Sequence, residues 1–189
     1  MRVRSAGAAL VLGALGAIWP AAAQADEDDW QVAGRAGLAG VVADGRSPLG
    51  LGVGGDVQYG LDDAWSLHLS LAGAGQRVDA DMPHMLPGGT VWSYAAFAGL
   101  GYTMDVLRLL PTFEAGLGVL GMGGAVKSSH LAIGVQVGLG ADYLLTPRFS
   151  LGLTAQYVFA PFDLFSHVLT GDQTPQAFAF CTRATWILH

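Results

Sequence analysis

From residue 131 to 159 the chain alternates with a period of two. Leu131, Ile133, Val135, Val137, Leu139 and Tyr143 fall on one parity, whereas Ala132, Gly134, Gln136, Gly138, Gly140 and Asp142 fall on the other. Successive side chains of a strand point to opposite faces, so this is a strand with one large apolar face and one small or polar face. A turn at 144–148 follows, and the pattern restarts with Phe149, Leu151, Leu153, Ala155, Tyr157 and Phe159 opposite Ser150, Gly152, Thr154 and Gln156. The two segments predict a long hairpin.

The same test, carried along the chain, predicts strands over 30–41, 49–61, 64–76, 91–104, 109–121 and 176–188, which with the hairpin make eight. In each, residues such as Trp30, Val32 and Leu38, or Leu51, Val53 and Val57, oppose Arg35, Gly52, Asp56 or Gln58. The connections alternate in length. Asp62-Asp63, the stretch 105–108 and the stretch 144–148 are short, whereas 77–90, the glycine-rich run to His130 and 160–175 are long. An even number of strands with alternating short and long connections is the pattern of an antiparallel up-and-down barrel in a bacterial outer membrane, with both termini on the periplasmic side.

Aromatic positions give a separate test. Trp30, Tyr59, Trp65, Tyr102, Tyr143, Phe149 and Trp186 fall at the short-turn ends of their strands with apolar parity; Trp92, Tyr94, Tyr157, Phe159, Phe178 and Phe180 fall toward the other ends. Two aromatic belts around a band of Leu, Val and Ile are what the two membrane interfaces select. A soluble lipocalin-like barrel would instead turn its large apolar residues inward.

Composition agrees: 28 glycines in 189 residues, 13% charged residues and a mean hydropathy of +0.43 fit a membrane chain. The longest stretch without Asp, Glu, Lys or Arg, 82–104, contains Pro83, Pro87, Gly88 and Gly89, which does not suit a spanning helix of about 20 apolar residues. Arg2 and Arg4, an apolar run from Ala6 to Ile18, and Ala23-Gln24-Ala25 form the three parts of a secretory signal peptide. Residues 1–25 are therefore expected to be removed and 26–189 to form one barrel domain. Losing the two arginines leaves seven basic residues against 15 acidic ones, a charge of about −8. Nucleic acid, which needs a basic footprint, is not an expected partner. The single Cys181 excludes an internal disulfide and reads as a buried thiol.

By this point the chain resembles the small eight-stranded outer-membrane proteins: the OmpA transmembrane domain, OmpX, OmpW and the opacity-like proteins. The residues that carry the likeness are LPTFEAGLG at 110–118, GLGADY at 138–143 and TPRFSL at 146–151. The resemblance implies a monomer in outer-membrane lipid, delivered by the barrel-assembly machinery, with no cofactor. It also implies an aromatic last residue, where this chain has Trp186 and Leu188 before His189.

Candidate chemistry is sparse. Gly50-Leu51-Gly52-Val53-Gly54-Gly55 and Gly116-Leu117-Gly118-Val119-Leu120-Gly121 match GxGxxG, but no helix or βαβ unit follows, so the glycines read as lumen-facing positions. The inward parity carries Arg35, Asp56, His68, Glu114, Asp142 and Arg183. Eight strands leave a bore only wide enough for side chains, so these charges must pair. An internal network that plugs the barrel is expected, with a gated ion path as the alternative. His84, His130 and His167 fall on three long connections near Asp79, Asp81, Asp163 and Asp172 without metal-ligand spacing. Ser129-His130 and Ser166-His167 could suggest lipid-modifying chemistry on this fold, but adjacent residues of an extended chain point apart. The reading is thus a non-enzymatic barrel with a structural or surface-binding role and an extracellular ligand that the sequence does not identify. A narrow passage for small hydrophobic molecules, as in OmpW-like proteins, is the second reading.

Overall fold

The computed structural model describes residues 29–42, 47–79, 88–125, 130–163 and 176–188, without the side chains of 130 and 161–163. Residues 1–25, the expected signal segment, together with His84, His167, the side chain of His130 and both Ser-His pairs, lie outside that description.

Eight strands follow one another: β1 (Trp30–Val42), β2 (Leu49–Gly60), β3 (Trp65–Val78), β4 (Gly89–Thr103), β5 (Leu109–Gly124), β6 (His130–Thr146), β7 (Phe149–Asp163) and β8 (Gln176–Leu188). Each pairs antiparallel with its sequence neighbours, and β1 closes on β8 from Trp30↔Leu188 to Val42↔Gln176. The result is the closed eight-stranded barrel that the alternation predicts. Strands of 12 to 17 residues exceed the roughly 9–11 that a tilted strand needs to cross a bilayer.

Several strands run further than the alternation shows. β5 continues to Gly124 and β7 to Asp163, beyond the predicted ends at 121 and 159. Gly121, Gly123 and Gly124 have no side chain to report a face, and Ala160-Pro161 interrupts the apolar count. Cross-strand hydrogen bonding sustains the ladder where patterning is silent.

The outer face is apolar, with Leu51, Val53 and Leu117 about two-thirds or more exposed. An apolar surface this continuous costs heavily in water and nothing in hydrocarbon. Small outward residues are covered by aromatic neighbours. The rings of Trp92, Tyr94 and Phe178 occupy the space that a Cβ on their register partners Gly75, Gly121 and Gly40 would need.

The inner face has three levels. Near the short turns it is polar, with Gln58, Ser66, Thr112, Ser150 and Thr185 buried. Charged residues fill the middle. Toward the long connections it is a small apolar core of Val41, Val91, Phe97, Leu120, Met122, Ala132 and Val158. Phe97 fits because its register partner is Gly118.

The short turns are built locally. Asp62 Oδ1 accepts the N–H groups of Ala64 at 2.8 Å and Trp65 at 2.7 Å. Those two donors favour the ionised carboxylate and hold Asp62 below the usual carboxylate range. At the next turn Leu107 takes φ 63°, a left-handed conformation with no glycine to signal it.

Two outcomes follow. A Cβ at Gly118 would overlap the Ala96 carbonyl oxygen and lie 2.7 Å from the Phe97 Cα, both backbone atoms with no rotamer to give. Gly118→Val is expected to destabilise the barrel by about 1–3 kcal/mol or to stop it folding, read from urea midpoints in detergent micelles. Because the folded pKa of Asp62 is depressed, its charge stabilises the fold above the unfolded value near 3.8, and that contribution fades as pH falls through the folded value. Asp62→Asn should therefore lower the urea midpoint at neutral pH, with the difference from the parent closing under strong acid; a pH-independent difference would contradict the charge argument.

Candidate functional site

Antiparallel register lines up the central residues across the lumen. Arg35 and Arg183 are direct partners on β1 and β8, Arg183 is level with Gly152 of β7, and Gly152 is level with Asp142 of β6. Side chains on one face of adjacent strands are near neighbours, so the two guanidinium groups start side by side and must find separate acids.

Arg183 takes two of them. Its Nε lies 3.0 Å and its Nη2 2.7 Å from Asp142 Oδ2, while Nη1 donates to Glu114 Oε1 at 2.7 Å and Nη2 to Thr112 Oγ1 at 3.0 Å. Charge-assisted bonds of this length are the strong class, and the planar fork of arginine fits two carboxylates at once. Glycines make the room. A Cβ at Gly152 would fall on the Asp142 carboxylate, and one at Gly140 would lie 3.3 Å from Arg183 Nη2. Gln156 Nε2 adds a donor to Glu114 Oε2 at 3.3 Å.

Arg35 is paired less completely. Its Nε lies 2.9 Å from Asp56 Oδ1 as an ion pair, and its Nη1 and Nη2, like both Asp56 carboxylate oxygens, have no hydrogen-bond partner among the described residues. His68 Nε2 stands 3.9 Å from Glu114 Oε2, an ion-pair distance but too long for a hydrogen bond. All six side chains are buried. The cluster thus sets two guanidinium groups against three carboxyls, with His68 beside them.

Two spaces flank the cluster. On the short-turn side a pocket of about 30 Å³ is lined by Gln31, Gln58, Thr103, Thr112, Ser150, Thr185, Asp142 and Arg183. On the other side lies a chamber of about 70 Å³. Its walls are Ala39, Ala72, Ala74, Ala95, Phe97, Leu120, Val158 and Ala177, and Arg35, Ser70, Gln136, Gln156 and Cys181 also face it. Alternation alone reads the inner face as small and polar throughout. Phe97, Leu120 and Met122 on inward parity are the signal of an apolar upper lumen, masked by apolar neighbours on both sides.

The aromatic positions lie at two heights on the outer surface. At the short-turn end three pairs of register partners stack at a tilt: Trp30 with Tyr59 at 5.1 Å, Trp65 with Tyr102 at 5.0 Å, and Phe149 with Trp186 at 4.8 Å between centroids. Tyr143 is exposed at the same level. Toward the opposite end Trp92, Tyr94, Tyr157, Phe159, Phe178 and Phe180 are exposed, and Tyr157 donates its hydroxyl to Gln176 Oε1 at 2.8 Å. The apolar ring and polar tip of the tryptophans and tyrosines suit an interface. Among the described residues no three His, Cys, Asp or Glu side chains converge on a metal position.

Comparison with known proteins agrees with this architecture. Neisserial surface protein A superposes with a TM-score of 0.62 at 17% identity, over 83% of this chain and 96% of its own. Ail, the attachment invasion locus protein of Yersinia pestis, gives 0.53 at 16%, over 86% and 99%. OprG of Pseudomonas aeruginosa gives 0.58 at 14%, over 88% and 99%. At these identities the likeness is one of fold. No curated protein matches the sequence. A family model described as the outer membrane protein beta-barrel domain matches residues 8–179. That match covers most of the chain, and with the closed eight-stranded barrel and its apolar exterior it establishes that the chain belongs to the outer-membrane β-barrel domain family, as an integral protein of the bacterial outer membrane.

Proposed function

We propose that this protein is a non-enzymatic membrane scaffold whose lumen is sealed by the Arg183 cluster and whose surface role resides in the long connections. The observation that carries this reading is Arg183, which spans the bore from β8 to both Glu114 on β5 and Asp142 on β6. A solute crossing at that level would have to separate a buried, multiply bonded ion cluster. Breaking one partner of such a cluster costs about 3–5 kcal/mol, because the charge left behind is unpaired. The short turns and both termini then face the periplasm, and the long connections face outward as the place for a surface ligand. The names surface protein A and attachment invasion locus protein, borne by two proteins of similar fold, make those connections the place to look. The protein acts as a monomer, delivered by the barrel-assembly machinery, with outer-membrane lipid as its constant partner.

The second reading, a passage for small hydrophobic molecules, is favoured by one observation. The apolar chamber and a groove of about 410 Å³ on the lipid-facing surface share Val53, Gly54, Ala72, Gly73, Tyr94 and Ala95 as lining. At that point glycine and alanine leave the wall little thicker than its backbone. The ladders β2–β3 and β3–β4 run through it without a register shift, so the wall is intact.

Planar-bilayer recording separates the two readings from an ion path. The purified protein and its Glu114→Ala variant are both expected to give no unitary conductance steps, since the bore stays filled by side chains when one carboxylate is lost. Steps in either would overturn the seal.

A further inference from the structure

We propose that the chamber above the ion cluster is a binding site for a small neutral molecule carrying a carbonyl-type oxygen, which Arg35 anchors. The inference rests on the sealed-lumen reading, because the cluster is the floor that closes the chamber.

Three observations define the ligand. The walls are mainly apolar, formed by residues such as Ala72, Ala95, Phe97 and Val158, with Ser70, Gln136 and Gln156 the few polar side chains, so a molecule rich in hydroxyls, such as a sugar, would lose more hydration than the chamber replaces. At the floor stands Arg35, whose side chain is 3% exposed and whose Nη1 and Nη2 have no hydrogen-bond partner among the described residues. Arginine can only donate, so what Nη1 and Nη2 lack is an acceptor; the Asp56 carboxylate, whose own oxygens have no hydrogen-bond partner among the described residues, meets Arg35 at Nε and leaves those two nitrogens unserved.

Charge decides which acceptor. Arg35 already has Asp56 at 2.9 Å, and the cluster around it holds three carboxyls to two guanidinium groups. A carboxylate ligand would bring a fourth negative charge into a low-dielectric bore, where like charges repel far more than in water. A neutral oxygen meets the donors without that penalty. Size sets the last limit. At about 70 Å³ the chamber has roughly half the ~150 Å³ of a cavity that admits benzene. A ligand of about four heavy atoms fits, the scale of acetone or acetamide.

The isosteric set acetone, acetamide and acetate tests this directly. In the full-length barrel in micelles, labelled with ¹⁵N-arginine, acetone and acetamide are expected to shift the Arg35 Nε–H resonance along a saturable curve. Four heavy atoms limit the dissociation constant to roughly 0.04 mM or weaker. Acetate at the same pH should give no saturable shift. Ala95→Leu, which fills the chamber without touching the ion cluster, should abolish the response while the amide spectrum of the barrel stays dispersed. Arg35→Met should do the same, and Ala95→Leu keeps the test valid where that variant does not fold. No saturable shift with either neutral probe, which would leave water as the only acceptor, overturns the proposal. So does tighter binding of acetate, which would make this an anion site. Bilayer steps together with a saturable acetone shift would overturn the seal and leave the site standing.

Discussion

In hydrocarbon no water is available to the backbone, so every N–H and C=O of a spanning chain must bond within the protein. For strands the solution is closure, and here the β1–β8 ladder from Trp30↔Leu188 to Val42↔Gln176 supplies it. Closure at eight strands then fixes the bore. A bore only as wide as side chains forces the inner residues to pack or to pair, and frees the outer ones to be as apolar as lipid requires. The inward glycines follow from the same limit: Gly118 leaves room for Phe97, and Gly140 and Gly152 leave room for Arg183 and Asp142.

That chain of causes explains what could be read from residues alone. A period of two is imposed by strand geometry on both faces at once, so the eight strands and the outward set from Trp30 to Leu188 were legible. Strand ends were not, because Gly121 to Gly124 and Ala160-Pro161 carry no facing signal, while the ladder continues through them. The six ionisable residues of the lumen were legible as a set, since polar groups on inward parity are few. Their partition was not. Arg35 and Arg183 are level with each other, and only register together with the space at Gly152 sends Arg183 to Asp142 and Glu114 and leaves Arg35 with Asp56. The apolar upper lumen was hidden because Phe97 lies between Ala96 and Ala98, and Leu120 between Val119 and Gly121, where large and small residues on both parities blur the alternation.

The lumen is therefore two environments, not one. Below the middle, hydroxyl and amide side chains surround an arginine with four of its five N–H donors engaged. Above it, alanines and a phenylalanine surround an arginine whose terminal nitrogens lack partners among the described residues. The proposed seal and the proposed binding chamber are compatible, because the first would supply the floor of the second. Neither rests on the long connections, the proposed place of a surface ligand.

Everything here rests on a closed barrel that needs an apolar surrounding. Electrophoresis of the membrane-extracted protein in SDS, with and without boiling, tests this most directly. A closed ladder of this kind resists SDS at room temperature, so the unheated protein should run as a compact, faster band that converts to the slower unfolded position on boiling. A band unmoved by heating, from protein recovered in water without detergent, would contradict the account.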